Sequence, residues 1–292
     1  LTEQQFPKSK YTCCLNPEGK MIYQKHIPQT PLQEYVDHIA YLEGNNKGTG
    51  LPKTAMSMVF NMEDSFKLYP NHTFNHPIEY KKHWVAGLQT QPTYVESYGI
   101  SKMFVVQFKP LGAYIFLPDA LNHFTNQYIT LDCIYSQEAD ETWEQLKESK
   151  SKSEQFLIVE NFLYRKLVSR KFPAPKLIST MDMLFTRSCS FSIQQICDTL
   201  YISRKHLNNL TKEYTGVSPK TLSSLYRLQN TLHQISASPT DKLTHVAYDM
   251  EYFDQAHFSK DFKRFTNLTP LAYADLTNKK QTLKTIPHFI PS

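Results

Sequence analysis

Two stretches of this 292-residue chain concentrate hydrogen-bonding side chains at helical spacing. The first holds Ser203, Arg204, Lys205, Asn208, Asn209 and Lys212. The second holds Asp254, Gln255, His257, Ser259, Lys260, Lys263 and Arg264. Asn and Gln amides match the edge of adenine, while Arg and Lys match guanine or phosphate. In each stretch the polar residues share one helical face, and the opposite face is apolar: Leu207, Leu210 and Tyr214 in the first, Phe258 in the second. One such stripe is most often only the solvated side of a helix. Two copies at matched spacing, both basic, point instead to a pair of nucleic-acid readers.

The copies are in register. Residues 212–219 (KEYTGVSP) match 263–270 (KRFTNLTP) at an offset of 51. Each matched position has a physical counterpart. There is an aromatic plug, a residue suited to a left-handed helix end (Gly216, or Asn267 as the next best), a hydroxyl cap (Ser218, Thr269) and a Pro at the first helical position. Upstream, Ile196-Cys197 matches Val246-Ala247 at an offset of 50, so the second turn is one residue longer. The small residues Cys197 and Ala247 let a second helix cross closely. Ser192 with Gln195 three residues later reads as a capping box. Between the copies, Leu222, Leu225, Leu228, Leu232 and Ile235 mark a long helix. A rod of this kind would set two readers into successive major grooves on one side of a duplex, about 34 Å apart.

The stretches SIQQICDTLYISRKHLNNLTKEYTGVSP and HVAYDMEYFDQAHFSKDFKRFTNLTP resemble the DNA-binding domain of AraC/XylS-type transcription regulators over about 100 residues. The resemblance implies base contacts from Lys205, Asn208 and Asn209 in the first unit and from Gln255, Ala256 and Lys260 in the second. It implies phosphate contacts from Arg204, Lys212, Ser218 and Thr269. Three positions depart from the family pattern: Glu251 stands at a tight bend where Gly is usual, Thr211 replaces a core Phe, and Thr231 replaces an Ala.

The charge is divided accordingly. The net formal charge is +5, but residues 170–292 hold 16 Lys+Arg against 9 Asp+Glu, while residues 1–169 hold 16 against 18. A basic tail on a near-neutral module suits nucleic acid. Hydrophobic content of 40% excludes a disordered chain. Even the apolar run Met103 to Phe108, broken by Gln107, is far short of the roughly 20 residues that span a bilayer. The opening residues, LTEQQ, carry no secretory pattern, and five scattered cysteines (13, 14, 133, 189 and 197) form no disulfide or zinc framework. A cytoplasmic setting is expected.

Ahead of residue 170 the texture is that of consecutive strands: MSMVF, FKLY, HWVAGL, TYVESY and, best defined, KMFVVQF. LQEYVDHIAYL reads as a short helix or a helix-to-strand transition, residues 43–50 as a loop, and Lys109–Gly112 as a turn before another strand or short helix. From Ser136 the pattern turns helical, and a Pro-rich linker occupies residues 171–176. The expected organisation is α+β. A β-rich N-terminal domain with helices, cupin-like by resemblance, covers 1–170 and serves sensing or dimerisation. An all-α double helix-turn-helix domain covers 177–275, and a tail covers 276–292.

Little in the front half carries chemistry. His72, His76 and His83 lack cupin metal spacing, Cys13-Cys14 lacks a redox or acceptor context, and no phosphate loop, nucleophile elbow or zinc-protease motif is present. The expected protein is a non-enzymatic bacterial regulator with no cofactor. Its expected partners are double-stranded DNA, a small-molecule effector, a second copy of the chain and RNA polymerase, with no membrane. Two alternatives concern the front half only: a metal-binding or enzymatic cupin tethered to DNA, or a pure protein-interaction module.

Overall fold

The computed structural model describes residues 22–45, 47–63, 66–70, 77–97, 99–167, 177–178, 192–237, 243–250, 252, 254–279 and 289–291. The linker at 171–176, most of the helix expected over 176–186, His72, His76, Cys13, Cys14, Cys189 and Glu251 lie outside them.

Alternating apolar residues in the front half, joined by one strand from residues 289–291, fold into two antiparallel sheets. The strands are β1 (Ile22–His26), β2 (Val36–Gly44), β3 (Lys47–Gly50), β4 (Ser57–Asn61), β5 (Phe66–Pro70), β6 (Ile78–Tyr80), β7 (His83–Ala86), β8 (Thr93–Ser97), β9 (Ser101–Phe108), β10 (Tyr128–Thr130) and β11 (Phe289–Pro291). One sheet has the order β1-β2-β9-β4-β7-β10 and the other β11-β3-β8-β5-β6. Strand β9, expected to be the best strand, lies inside the first sheet between β2 and β4.

Its period of two sorts its side chains onto opposite faces. Met103 and Val105 face the second sheet and join Val59, Trp84, Phe66, Leu68 and Tyr80 between the layers. Phe104, Val106 and Phe108 belong to the other core cluster, under the helices. The helices there are α1 (Ala113–Phe116), α2 (Asp132–Tyr135), α3 (Gln137–Glu148) and α4 (Lys152–Leu167). Helix α4 covers the sheet with Phe156 against Phe104 (ring centroids 5.2 Å apart) and Phe162 against Phe60 (5.6 Å). Burying each such ring contributes roughly 1.5–3 kcal/mol.

One reading of the sequence is corrected. Residues 47–50 are a strand rather than loop, because Lys47–Gly50 pair with Thr93–Glu96 on one side and with β11 on the other. Residues 32–42 form the expected helix-to-strand transition, whose helical part is a single 3₁₀ turn, Leu32–Glu34. The remainder is β2, whose pairing with β1 and β9 outweighs the local helical spacing. The Lys109–Gly112 turn is present, with the Gly112 amide donating to the Lys109 carbonyl at 2.8 Å. A Cβ at Gly112 would lie 1.8 Å from the Tyr35 carbonyl oxygen, so only Gly fits. The segment after it is helical (α1).

His83 is a packing residue. It is buried, its Nε2 lies 3.3 Å from Asp140 Oδ1, and its ring sits edge-on to Phe60. Among the described residues no cluster of His, Cys, Asp and Glu could hold a metal ion.

The back half is helical: α5 (Ile193–Leu200), α6 (Arg204–Thr215), α7 (Pro219–Ala237), α8 (Leu243–Asp249), α9 (Gln255–Thr266) and α10 (Pro270–Lys279). Among the described residues, ring and hydrogen-bond contacts join it to the front half. Tyr114 of α1 stacks on Tyr214 at the end of α6 (4.0 Å between centroids) and donates its hydroxyl to Glu213. Thr125 donates to the Gly216 carbonyl at 2.6 Å, and Thr54 donates to Gln229 of α7 at 2.9 Å. The chain then returns, and β11 adds to the edge strand β3. No helix among the described residues is long and apolar enough to cross a membrane.

Candidate nucleic-acid interface

The first unit is built from α5, a turn and α6. Ser192 caps α5 as expected: its hydroxyl accepts from the Gln195 amide, and the Gln195 side chain accepts from the Ser192 amide at 2.7 Å. Helix α5 ends at Tyr201, which adopts left-handed geometry (φ 51°) with its ring almost wholly exposed. The Ile202 amide reaches back to the Cys197 carbonyl at 3.1 Å. Ser203 then caps α6 by accepting from the His206 amide at 3.1 Å.

The second unit repeats this. The Tyr252 amide donates to the Ala247 carbonyl at 3.1 Å, and Asp254 caps α9 by accepting from the His257 amide at 2.6 Å. Cys197 and Ala247 are both buried, as are Leu207 and Phe258. The turn hydrogen bonds are offset by 50 and the caps by 51, so the extra residue falls between Tyr252 and Asp254. Both second helices end in left-handed residues, Gly216 (φ 93°) and Asn267 (φ 59°).

The exposed faces of α6 and α9 carry the expected set. Arg204, Lys205, Asn209 and Lys212 are exposed and Asn208 is half-buried; Gln255, Ala256, His257, Lys260, Lys263 and Arg264 are exposed and Ser259 is half-buried. Ser203 and Asp254 are exposed too, but each uses an acceptor to hold its helix start. Ser218 and Thr269 do the same for α7 and α10, accepting from the amides of Thr221 and Ala272 at 3.2 Å. They therefore sit where unpaired amides and the helix dipole favour an anion. Arg204 donates through Nε to Gln194 at 2.8 Å, which fixes its side chain across the turn. Arg264 lies over Phe265 (4.2 Å) and 3.6 Å from Asp261.

Two acidic groups of these helices are turned away from the exposed faces, while Asp254 stays exposed at the start of α9. Glu213 is half-buried against Tyr114, and Asp261 is buried beneath Arg264. Burial, together with Tyr214 and Glu213, pushes the Tyr114 hydroxyl up to about 12, so it remains a donor. His206 is exposed on the first turn of α6 and is absent from the set read from sequence. It matches His257 at the offset of 51, so the repeat itself contained the signal. The Thr211 and Thr231 departures cost the core nothing in satisfied polar groups. Both are buried, and their hydroxyls donate to the carbonyls of Leu207 and Arg227 at 2.8 Å.

Helix α7 joins the units with 19 residues, about 28 Å of helix at the standard rise. Its apolar stripe is buried on both sides of its midpoint: Leu222 and Leu225 toward one end, Leu232 and Ile235 toward the other. The second unit is fastened to it by Arg227 over Tyr252 (4.9 Å), Gln234 to Asp249 (2.8 Å) and Ser236 to Tyr273 (3.2 Å).

Residues 196–275 match the helix-turn-helix domain family, and residues 24–130 match a domain of unknown function (DUF6597). The C-terminal region is a paired helix-turn-helix domain of the AraC/XylS type, carried behind a β-rich domain. Over 96 residues the chain is 29% identical to the raffinose operon transcriptional regulatory protein RafR of Pediococcus pentosaceus, covering 33% of this chain and 34% of that protein. Over 94 residues it is 29% identical to the HTH-type transcriptional activator RhaS of Escherichia fergusonii, covering 32% and 33%. The match thus spans about a third of the length of these curated relatives. ToxT from Vibrio cholerae aligns over 81% of this chain and 98% of its own, at 14% identity and a TM-score of 0.49.

Proposed function

We propose that this protein is a sequence-specific DNA-binding transcription regulator, without enzymatic activity, whose β-rich domain receives a small effector or partner. One observation carries the reading. Two helix-turn-helix units with the same caps and turn hydrogen bonds each present an exposed, donor-rich helix, and one 19-residue helix joins them. That arrangement suits two major-groove segments of one duplex. Lys205, Asn208, Asn209, Gln255, Ala256 and Lys260 take the base edges. Arg204, Lys212, Ser218 and Thr269 take phosphates, and Ser203, Asp254, His257, Ser259, Lys263 and Arg264 complete the DNA-facing set. The working domains are 1–170 for sensing and dimerisation, 171–176 as linker, 177–275 for DNA and 276–292 as tail.

Duplex DNA is the principal partner. A second copy of the chain and RNA polymerase are the further partners, and the cytoplasm is the site of action. That RhaS is an activator favours the activating sign here. Control is linkage: a ligand that prefers one arrangement of the two domains shifts the population that binds DNA. A gel-shift titration across salt concentrations tests the reading with Lys260→Ala. If Lys260 takes a base edge, affinity for the preferred sequence falls by about 1–3 kcal/mol and discrimination at that base pair relaxes; a uniform loss on all sequences with a salt slope lower by about 1 would move Lys260 to a phosphate instead. Wild-type affinity and slope would remove Lys260 from the interface.

A further inference from the structure

The β-sandwich is not closed at one end. Between its sheets and helix α7 lies a cavity of about 690 Å³. Leu42, Phe66, Val95, Met103 and Val105 form its apolar floor. Tyr226, Gln229 and His233 of α7, with Phe289 of β11, form the far wall. Its charged lining is uneven: Lys25, Lys53 and Lys109 against a single carboxylate, Asp37. That carboxylate is already engaged, by His38 at 2.6 Å and Lys25 at 3.8 Å.

Nothing in the sequence pattern marks Lys53, yet its position is unusual. Its side chain is half-buried and lines the cavity. An ammonium group has three protons to donate. One goes to Gln107 Oε1 at 2.9 Å, and the Gln107 amide is itself held by the Met56 carbonyl at 3.1 Å. No carboxylate among the described residues lies within ion-pair distance of Lys53 Nζ. Burial pushes this ammonium down to about 8, so it is still mostly protonated at neutral pH. A half-buried, charged, underused donor at the edge of an apolar chamber favours a ligand that pairs with it.

We propose that this cavity is the effector site and that it takes an organic monoanion with a compact apolar body, its acid group on Lys53 and its body between the sheets. The proposal rests on the regulator reading for the word effector and goes beyond it in naming the ligand's chemistry. Because α7 and β11 form one wall, the same ligand would touch the helix that spaces the two DNA readers and the strand that follows the second one. The Thr54–Gln229 hydrogen bond lies at that seam.

The test is calorimetric titration of the full chain at pH 7 with octanoate and 4-phenylbutyrate, and with 1-octanol and glucose as neutral controls. At least one acid should bind, one per chain, and Lys53→Met should weaken it about tenfold or more, the loss expected for a buried charge-assisted hydrogen bond. The neutral probes should bind more weakly and be indifferent to Lys53→Met. Phe289→Ala, which leaves Lys53 in place, should weaken acid and alcohol alike. The thermal transition of each variant reports whether it folds. Three results would overturn the proposal: binding of neither acid, equal binding of octanol and octanoate, or an acid affinity unchanged in either folded variant. Gel shifts on the unliganded protein are scored separately. DNA binding without acid binding sinks only the ligand assignment, and acid binding without DNA binding sinks the regulator reading alone.

Discussion

The two helix-turn-helix units use one local design but are held in place differently. In both, a small buried residue, a five-residue backbone hydrogen bond across the turn, a side-chain cap and a left-handed terminator appear at matched positions. The matched aromatic plugs then diverge. Phe265 is buried at 2% exposure inside its own unit. Tyr214 is half-buried and spends its ring on Tyr114 of the front domain. The first unit is thus docked on the β-rich domain through Tyr214 and Gly216, whereas the second is fastened to the long helix through Tyr252, Asp249 and Tyr273. The front domain contacts the first unit directly. It is connected to the second through α7 and through the strand that pairs with β3.

Substitution at the paired positions sharpens this contrast. Phe265→Ala should destabilise by about 3–5 kcal/mol, as expected for removing a large buried ring. Tyr214→Ala should cost less. Its coupling to Tyr114 in a double-mutant cycle should be about 0.5–1.5 kcal/mol, read by chemical denaturation. Equal costs with no coupling would mean that the first unit is not docked.

The terminators give a smaller effect. A Cβ at Gly216 would lie 2.7 Å from Thr125 Oγ1 and 3.1 Å from the Leu121 carbonyl, in a backbone conformation (φ 93°) that L-residues resist. Gly216→Ala should therefore cost about 1–3 kcal/mol and weaken the dock. Asn267→Gly, at the matching left-handed position, should be neutral or stabilising by a few tenths of a kcal/mol. Thermal unfolding of the two variants separates a terminator that bears an interface from one that does not.

The C-terminal half was legible in the sequence because its signals are local. The Ser192–Gln195 capping box, the Pro219 and Pro270 helix starts and the 51-residue offset are each written in a few adjacent residues, and each appears in the structure. The front half was less legible because sheet partners are distant. Strand β3 looks like a Gly-rich loop until β8 and β11, some 45 and 240 residues on, are seen to pair with it. The short strands β6 and β10 carry too few residues to show alternation. The cavity was invisible for the same reason. Lys53, Gln107, Gln229 and Phe289 meet only through tertiary packing, and nothing in their spacing brings them together.

Both helices, α6 and α9, should read one duplex together. Selection of binding sites from random DNA with the full chain, followed by sequencing, tests it most directly. The account predicts two different half-motifs on the same side of the helix, with centres one turn, about 10–10.5 base pairs, apart. Enrichment of a single half-motif, of two motifs at unfixed spacing, or of no sequence at all would contradict it.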